Sequence, residues 1–259
     1  MENLKVSREA GGRVALLTLS RPEQLNALSS GLLRDLEQAI SEAEESPEVR
    51  AVVVTGEGRV FCAGADIAEL RVKSRSEAAA YVKLAQGVCN RIEASRLPVL
   101  AAVGGIAFGG GFELALSCDL ILAEERSRFG LPEVKLGLIP GAGGTQRLPR
   151  LVGRNRAKEL VYLGEPIPAD KALELGVVNR VVPEGEALSV ALEWAAELSE
   201  RAPLALDVAK RVINQGVQAD LGTGLELEAQ GIALLFGTED QVEGLSAFLE
   251  MRAARFTGK

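Results

Sequence analysis

The chain has 259 residues, 47% apolar and 25% charged, which is the composition of a globular protein with one large core. It contains no histidine, which excludes Ser-His-Asp and Cys-His nucleophiles, histidine general bases and nearly all catalytic zinc sites. The net charge of −7 gives no overall attraction for nucleic acid or an anionic membrane, and we expect neither as a partner. Carboxylates are therefore the expected acid–base groups, and no metal is expected.

The predicted elements alternate between strand and helix over most of the chain. In order they are strand 14–20, helix 30–45, strand 51–55, helix 76–95, strand 98–103, a helix opened by the glycines at 109–111, strand 120–123 and strand 177–182. From residue 185 onwards every segment has helical periodicity, with breaks at Pro203, Gly216 and Gly237. This pattern predicts an α/β core over residues 1–195, which would contain the active site, and a helical region over residues 196–259.

The cysteines and the apolar runs indicate where the protein works. Cys62, Cys89 and Cys118 are far apart and form no Cys-x-x-Cys pair, so we expect buried, unpaired thiols in a reducing compartment. Residues 1–10 lack the apolar run of a secretory signal, and the uncharged run 97–112 is too short and too rich in glycine to span a bilayer. We expect a cytoplasmic protein, with a mitochondrial matrix form lacking its transit peptide as the alternative.

Glycine clusters occur without the spacing of a dinucleotide fingerprint or a P-loop. Gly109, Gly110 and Gly111 precede an apolar helix, so their N–H groups would be unshielded at the positive end of the helix dipole. That is a suitable place for an oxyanion, although tight packing of a strand against the helix explains three glycines equally well. The segments 61–65 and 140–145 offer similar bare backbone.

Four acidic residues stand out from the other carboxylates. Glu113 lies in a helix that is apolar on all sides, so it is either a functional acid or a buried partner of the helix dipole. Glu133 follows Pro132 and is either a second functional acid or an exposed loop residue. Asp66 and Glu69 have the spacing of an N-cap and its N3 partner, and we assign both to helix capping.

Three long motifs resemble the enoyl-CoA hydratase (crotonase) family, and the resemblance covers nearly the whole chain. They are Phe61-Cys-Ala-Gly-Ala-Asp-Ile67, Gly105-Ile-Ala-Phe-Gly-Gly-Gly-Phe-Glu-Leu-Ala115, and the segment 129–148, which includes Glu133. The resemblance implies a crotonase-like spiral of ββα units followed by a C-terminal helical trimerisation region, assembled as a trimer or a dimer of trimers. It also implies an acyl-CoA thioester as the substrate, with coenzyme A as part of that substrate and no separate cofactor.

The same resemblance implies roles for individual residues. The N–H groups of Ala63 and Gly110 would form an oxyanion hole for the thioester carbonyl. Glu113 would orient and activate water, Glu133 would supply the proton to C2, and the Gly141 N–H would help to position the Glu133 carboxylate or the water. Coenzyme A contacts, mostly through backbone, are implied for Gln24, Asn26, Ala27, Gly64, Ala65, Asp66 and Ile67.

Two positions depart from the family's pattern, and three alternative functions stay open. Met251 and Ala68 stand where many relatives have lysine near the coenzyme A phosphates, so Arg71, Arg252 and Arg255 are candidates for those contacts. An enoyl-CoA isomerase would need only one of the two acids. The segments 201–216 and 223–225 resemble 3-methylglutaconyl-CoA hydratases, some of which also bind RNA. Helix 30–45 argues against an RNA-binding protein, because it carries five acids and one arginine.

Overall fold

The computed structural model describes all residues, 1–259, as an α/β core followed by a helical region. Its strands are β1 (Leu4–Glu9), β2 (Val14–Leu19), β3 (Ala51–Gly56), β4 (Val99–Val103), β5 (Ile106–Phe108), β6 (Leu120–Glu124), β7 (Arg128–Gly130), β8 (Ile167–Pro168) and β9 (Arg180–Val182). The helices of the core are α1 (Ser30–Glu45), α2 (Ile67–Arg71), α3 (Arg75–Ala94), α4 (Gly110–Ser117), α5 (Gly144–Leu163, broken at Gly153), α6 (Ala169–Glu174) and α7 (Ala187–Ser199). The helical region contains α8 (Pro203–Gly216), α9 (Leu221–Leu235) and α10 (Glu239–Leu249).

The strands form two sheets. The larger has six strands in the order β1-β2-β3-β4-β6-β9, with β1 antiparallel to β2 and every other pair parallel. The smaller sheet has the order β5-β7-β8. β3 and β4 lie in the middle of the large sheet and are buried on both faces, which is why their sequences are continuous apolar runs.

Most predicted elements are found where the sequence places them. Helix α1 has the predicted bounds, because the Ser29 side chain caps its first turn by accepting a hydrogen bond from the Leu32 N–H. Its apolar stripe is buried at Leu32, Leu33, Leu36, Ala39, Ile40 and Ala43. Helix α3 begins one residue earlier than predicted, after a capping box formed by Ser74 and Glu77.

Other strands were missed or predicted too long. β1 is a largely exposed edge strand that reads Leu-Lys-Val-Ser-Arg-Glu, and β5, β7 and β8 have only two or three residues each, so none carries a periodic signal. The predicted strand 177–182 is observed only as β9. The N–H groups of Val177 and Val178 both donate to the Ala172 carbonyl, which closes α6 and delays the strand.

The helical region is attached to the core mainly through α8. Lys210 donates to the Ile92 and Leu97 carbonyls, both at 3.1 Å, and pairs with Asp119 at 2.8 Å. The boundary predicted at residue 195 falls inside α7, whose buried residues pack on the large sheet. No helix of the protein is both long and apolar enough to cross a membrane.

Candidate active site

The three glycines before α4 serve different purposes. Gly109 has φ +50° and ψ −126°, a conformation that only glycine adopts readily. A Cβ on Gly111 would lie 2.3 Å from the Cys62 carbonyl oxygen, so this position is glycine because two backbones touch there. Gly110 is the first residue of the helix, and its N–H has no acceptor within the helix. Packing therefore explains Gly111, while Gly110 provides a free donor.

The structure contradicts the predicted role of Ala63 as an oxyanion-hole donor. The Ala63 N–H donates to the Leu25 carbonyl at 3.0 Å and is not available to a ligand. The free donor in this segment is two residues further on. Leu28 accepts from the Asp66 N–H at 3.1 Å and donates to the Gly64 carbonyl at 2.8 Å, a parallel bridge centred on Ala65. The Ala65 N–H points away from this bridge and has no acceptor.

Ala65 and Gly110 lie next to each other. A Cβ on Gly110 would be 3.6 Å from the Ala65 nitrogen, and a Cβ on Gly64 would be 3.7 Å from the Gly110 nitrogen. Two free backbone donors therefore meet at one place, and one belongs to a helix N-terminus. This is the geometry that stabilises a developing oxyanion.

The capping prediction for Asp66 and Glu69 is half confirmed. Asp66 caps α2 by accepting from the Glu69 N–H at 3.1 Å, and its carboxylate also pairs with Arg21 at 2.9 Å. The Glu69 carboxylate does not return to Asp66. It accepts from the Ser30 N–H at 2.9 Å and pairs with Lys73 at 2.7 Å, so it joins the start of α1 to α2.

Glu113 is 2% exposed and is held by the loop that precedes α5. Its Oε1 accepts hydrogen bonds from the Ala142 N–H at 2.8 Å and the Gly144 N–H at 2.7 Å, and its Oε2 makes no hydrogen bond within the chain. Burial raises the pKa of Glu113, and these backbone donors act in the opposite direction. The carboxylate is thus fixed at one oxygen and open at the other.

Of the two contacts predicted for the Gly141 N–H, the one with the Glu133 carboxylate is not formed, and the one with the water stays a prediction. The N–H groups of the loop 141–144 are directed at Glu113, and no hydrogen bond joins the Gly141 N–H to the Glu133 carboxylate. The Gly141 carbonyl accepts from Gln86 Nε2 at 2.8 Å, which ties this loop to α3.

Glu133 is half-buried rather than an exposed loop residue. It begins a short 3₁₀ turn, Glu133–Leu136, and its Oε2 is buried without a hydrogen-bond partner. Burial raises the pKa of Glu133 to about 7, and the nearby Glu113 carboxylate contributes in the same direction. Glu133 is therefore able to hold a proton at neutral pH.

Both glutamates and both free donors face one cavity of about 260 Å³. The other lining residues are glycines and apolar side chains: Leu28, Ala63, Gly64, Ile67, Leu70, Ala78, Tyr81, Val82, Ala85, Gly109, Pro132, Leu136, Leu138, Ile139, Gly141 and Ala142. Tyr81, Val82 and their neighbours on α3 are not among the predicted site residues. The spacing 78, 81, 82 and 85 is an apolar helix face, which from sequence alone is indistinguishable from core.

A larger cavity of about 580 Å³ lies beside the C-terminal segment, but its chemistry is different. It is lined by Glu239, Asp240, Glu243, Arg252, Ala253, Arg255 and Thr257. Its buried acid, Asp240, already accepts hydrogen bonds from the Thr257 N–H at 2.6 Å and the Gly258 N–H at 2.9 Å. Arg252 is already paired with Glu243 and Glu250, both at 2.6 Å. We therefore place the active site in the smaller cavity.

The residues predicted to contact coenzyme A differ in whether a ligand in the active-site cavity could reach them. Gly64, Ala65 and Ile67 line the active-site cavity, and Gln24 is exposed on the surface. The side chains of three others, Asn26, Ala27 and Asp66, are outside the cavity lining. The Asn26 side chain is fully buried, so a contact with coenzyme A would have to come from its backbone, and this contact stays a prediction. Its Oδ1 accepts from the Arg21 N–H at 3.0 Å, and its Nδ2 donates to the Glu57 and Val60 carbonyls at 2.9 Å.

Comparison with known proteins decides the family. Residues 9–259 match the family model described as enoyl-CoA hydratase/isomerase. The chain belongs to the enoyl-CoA hydratase/isomerase family. The resemblance seen in the three motifs is confirmed, and so is the predicted fold class.

Several relatives of this enoyl-CoA hydratase/isomerase chain match it along their full length. It is 44% identical to the short-chain-enoyl-CoA hydratase of Clostridium acetobutylicum, with 97% of each chain covered. It is 43% identical to the 2,3-dehydroadipyl-CoA hydratase of Escherichia coli, with 100% of each covered. A crystal structure of an enoyl-CoA hydratase from Bacillus anthracis superposes with a TM-score of 0.96 at 41% identity, covering 99% of this chain and 100% of that one.

Proposed function

We propose that the protein is an enoyl-CoA hydratase, which adds water across the 2,3-double bond of a 2-enoyl-CoA thioester to give a 3-hydroxyacyl-CoA. The observation that carries this proposal is the arrangement of two glutamates in unlike environments around one cavity, beside two free backbone donors. The relatives named as hydratases, at identities above 40% over their full length, support it.

The oxyanion hole acts on the thioester carbonyl. Attack of water at C3 moves electron density through the conjugated system and develops enolate charge on the carbonyl oxygen. The N–H groups of Ala65 and Gly110 are preorganised to receive that charge, and each such donor contributes about 3–4 kcal/mol to transition-state stabilisation.

The two glutamates divide the proton transfers. Glu113 Oε2 accepts a proton from the attacking water, while the Ala142 and Gly144 N–H groups hold the other oxygen in place. Glu133, with its pKa raised to about 7, donates a proton to C2. One carboxyl gains the proton that the other loses, so a proton exchange between the site and solvent restores the starting state.

Two acids favour hydration over isomerisation. Moving a double bond within the acyl chain needs one acid that removes and returns a proton, whereas adding water needs a group for the water and a group for C2. The backbone donors that fix Glu113 would have no purpose if Glu133 alone carried the reaction.

The test is hydration of crotonyl-CoA, followed by the loss of absorbance of the conjugated thioester. We expect Glu113→Gln and Glu133→Gln each to lower kcat by at least about 10²-fold while the fold is retained. Turnover close to wild type in either variant would remove that residue from the mechanism. A protein that shifts the double bond of 3-enoyl-CoA but does not hydrate crotonyl-CoA would be an isomerase.

We also propose that the chain assembles through its helical region as a trimer or a dimer of trimers, and that it works in the cytoplasm. Large apolar side chains of α8, α9 and α10 and the segment after them are more than half exposed: Ile213, Val217, Leu221, Leu225, Ile232, Leu234, Phe236, Val242, Leu245, Phe248, Leu249 and Met251. Their burial between subunits would remove this apolar surface from water. Three unpaired cysteines support a reducing compartment. Light scattering tests the assembly, and a stable, active monomer would contradict it.

A further inference from the structure

One wall of the active-site cavity is an apolar face of α3. Ala78, Tyr81, Val82 and Ala85 all line the cavity and follow the helical spacing i, i+3, i+4 and i+7. Tyr81 is the only polar side chain among them, and its hydroxyl donates to the Leu28 carbonyl at 2.7 Å. This wall therefore presents hydrocarbon and an aromatic ring to the acyl chain, with no free polar group.

The rest of the lining also has no cation. Its ionisable side chains apart from Tyr81 are Glu113 and Glu133, which are both acids. Near this wall, Lys73 lies 5.7 Å from the centre of the Tyr81 ring and is paired with Glu69 at 2.7 Å. Its charge is thus already balanced by a neighbouring carboxylate.

The lining of the cavity disfavours binding of an acyl chain that carries a negative charge. A carboxylate at the far end of the chain would find no positive side chain among the lining residues and would lie in the same cavity as the Glu113 carboxylate. Burial is the main cause of the raised pKa of Glu133, and the Glu113 carboxylate adds to it, so the charge of Glu113 acts on a second carboxyl in this cavity. A neutral acyl chain of the same shape meets none of these penalties.

We infer that the acyl chain accepted by this enzyme is neutral and apolar beyond C3, and that the cavity rejects 2-enoyl-CoA thioesters with a distal carboxylate. This inference rests on the proposed hydratase activity and specifies its substrate class. It separates the protein from the 43% identical relative named 2,3-dehydroadipyl-CoA hydratase, and it rejects 3-methylglutaconyl-CoA as a substrate.

The experiment compares two substrates that differ in charge and not in shape. Glutaconyl-CoA ends in a carboxylate, and 5-methyl-2-hexenoyl-CoA carries an isopropyl group in the same place, so the two acyl chains have the same number of heavy atoms. We expect kcat/KM to be at least about 10²-fold higher for the neutral thioester. A difference below about threefold would overturn the inference. Crotonyl-CoA is measured first, because failure to hydrate it would refute the hydratase activity and not the charge preference.

A substitution on the α3 wall tests the cause of the preference. Val82→Arg places a cation in the cavity, and Val82→Met adds comparable length without charge. We expect the arginine variant to lower the ratio of the two kcat/KM values by at least about tenfold and the methionine variant to leave the ratio unchanged. Because the ratio compares two substrates on the same variant, a loss of activity that affects both substrates equally does not change it. Ala78→Arg, one turn earlier on the same face, replaces Val82→Arg if that variant does not fold. An unchanged ratio in a folded arginine variant would show that the α3 wall does not cause the preference for a neutral acyl chain.

Discussion

The Gly144 N–H lies 2.7 Å from Oε1 of Glu113, although 31 residues separate them along the chain. Glycine leaves this contact undisturbed, because a Cβ at position 144 would be 3.0 Å from Oε1 and 3.1 Å from Cγ of Glu113 and would push the carboxylate aside. The conformation of the Glu113 carboxylate is therefore set by the backbone of a different loop.

We expect Gly144→Ala to lower kcat by about 10–10²-fold, because the added methyl group displaces the Glu113 carboxylate from its position relative to substrate. Gly87→Ala is the matched control, since a Cβ at position 87 meets nothing within 4 Å. It should leave kcat unchanged and raise stability by about 0.5–1 kcal/mol through helix propensity. Steady-state kinetics and thermal unfolding measure both effects, and equal kinetics in the two variants would contradict the prediction.

The oxyanion hole can be tested through Gly110. Gly110→Pro removes one N–H donor at the first residue of α4, where proline interferes least with helical hydrogen bonds. We expect kcat to fall by about 10²–10³-fold and substrate binding to weaken much less, because the charge develops in the transition state. Gly110→Ala keeps the N–H, and its backbone is outside the left-handed region. Its Cβ would meet Leu28 Cδ1 at 3.2 Å, so circular dichroism must show that both variants fold. A folded proline variant with near wild-type kcat would remove Gly110 from the oxyanion hole.

We expect Tyr81 to help position the other proposed donor, the Ala65 N–H. Its hydroxyl shares the Leu28 carbonyl with the Asp66 N–H, directly beside Ala65. We expect Tyr81→Phe to lower kcat about tenfold with a much smaller change in KM, because the Ala65 N–H acts mainly in the transition state. Tyr162→Phe is the control, since the only other tyrosine of the chain is 68% exposed. A rise in KM at unchanged kcat would instead indicate that the Tyr81 hydroxyl serves substrate binding.

The raised pKa of Glu133 predicts two pH effects. If Glu133 must carry a proton, kcat/KM falls as the pH rises through about 7. Between the ordinary value of 4.5 and about 7, the folded state binds this proton more tightly than the unfolded state, so stability falls as the pH rises across that window. Glu133→Gln has no titrating carboxyl at this position, so it does not lose stability from this source as the pH rises.

The melting temperature of Glu133→Gln relative to wild type should therefore be higher at pH 8 than at pH 5. A net effect of about 1 kcal/mol corresponds to about 2–4 °C in a chain of this size. Calorimetry at the two pH values measures it. The same difference at both values would contradict a raised pKa in the folded protein.

How far the sequence predicts this site is shown by Ala63 and Ala65. The motif locates the oxyanion hole in a segment of small residues, but the N–H that stays free depends on which residues pair with that segment. Leu25 takes the Ala63 N–H, and the bridge to Leu28 turns the Ala65 N–H away. Both partners are more than 30 residues earlier and belong to a turn in which Leu25 and Asn26 have positive φ. Such pairing leaves no local signal in residues 61–67.

Around the site, features that depend on local sequence could be predicted, and features that depend on distant segments could not. The bounds of α1 could be predicted because its cap and its apolar stripe are both local. The burial of Glu113 could be predicted from its apolar neighbours, whereas its hydrogen-bond donors, Ala142 and Gly144, could not, because they come from a distant loop. The half-burial of Glu133 likewise depends on how the Glu133–Leu136 turn packs against the cavity.

Because the chain contains no histidine, the protons that the active site takes up when it binds a ligand can be measured directly. Imidazoles dominate the buffering of most proteins near neutrality, and burial raises the pKa of both Cys62 and Cys89 to about 12. Glu133, with its pKa raised to about 7, is then a main titrating side chain between pH 6 and 8. Calorimetric binding of a saturated acyl-CoA in buffers of different ionisation enthalpy, compared between wild type and Glu133→Gln, would report proton uptake by Glu133 without a background of imidazole ionisation, because the coenzyme A phosphates contribute to both measurements.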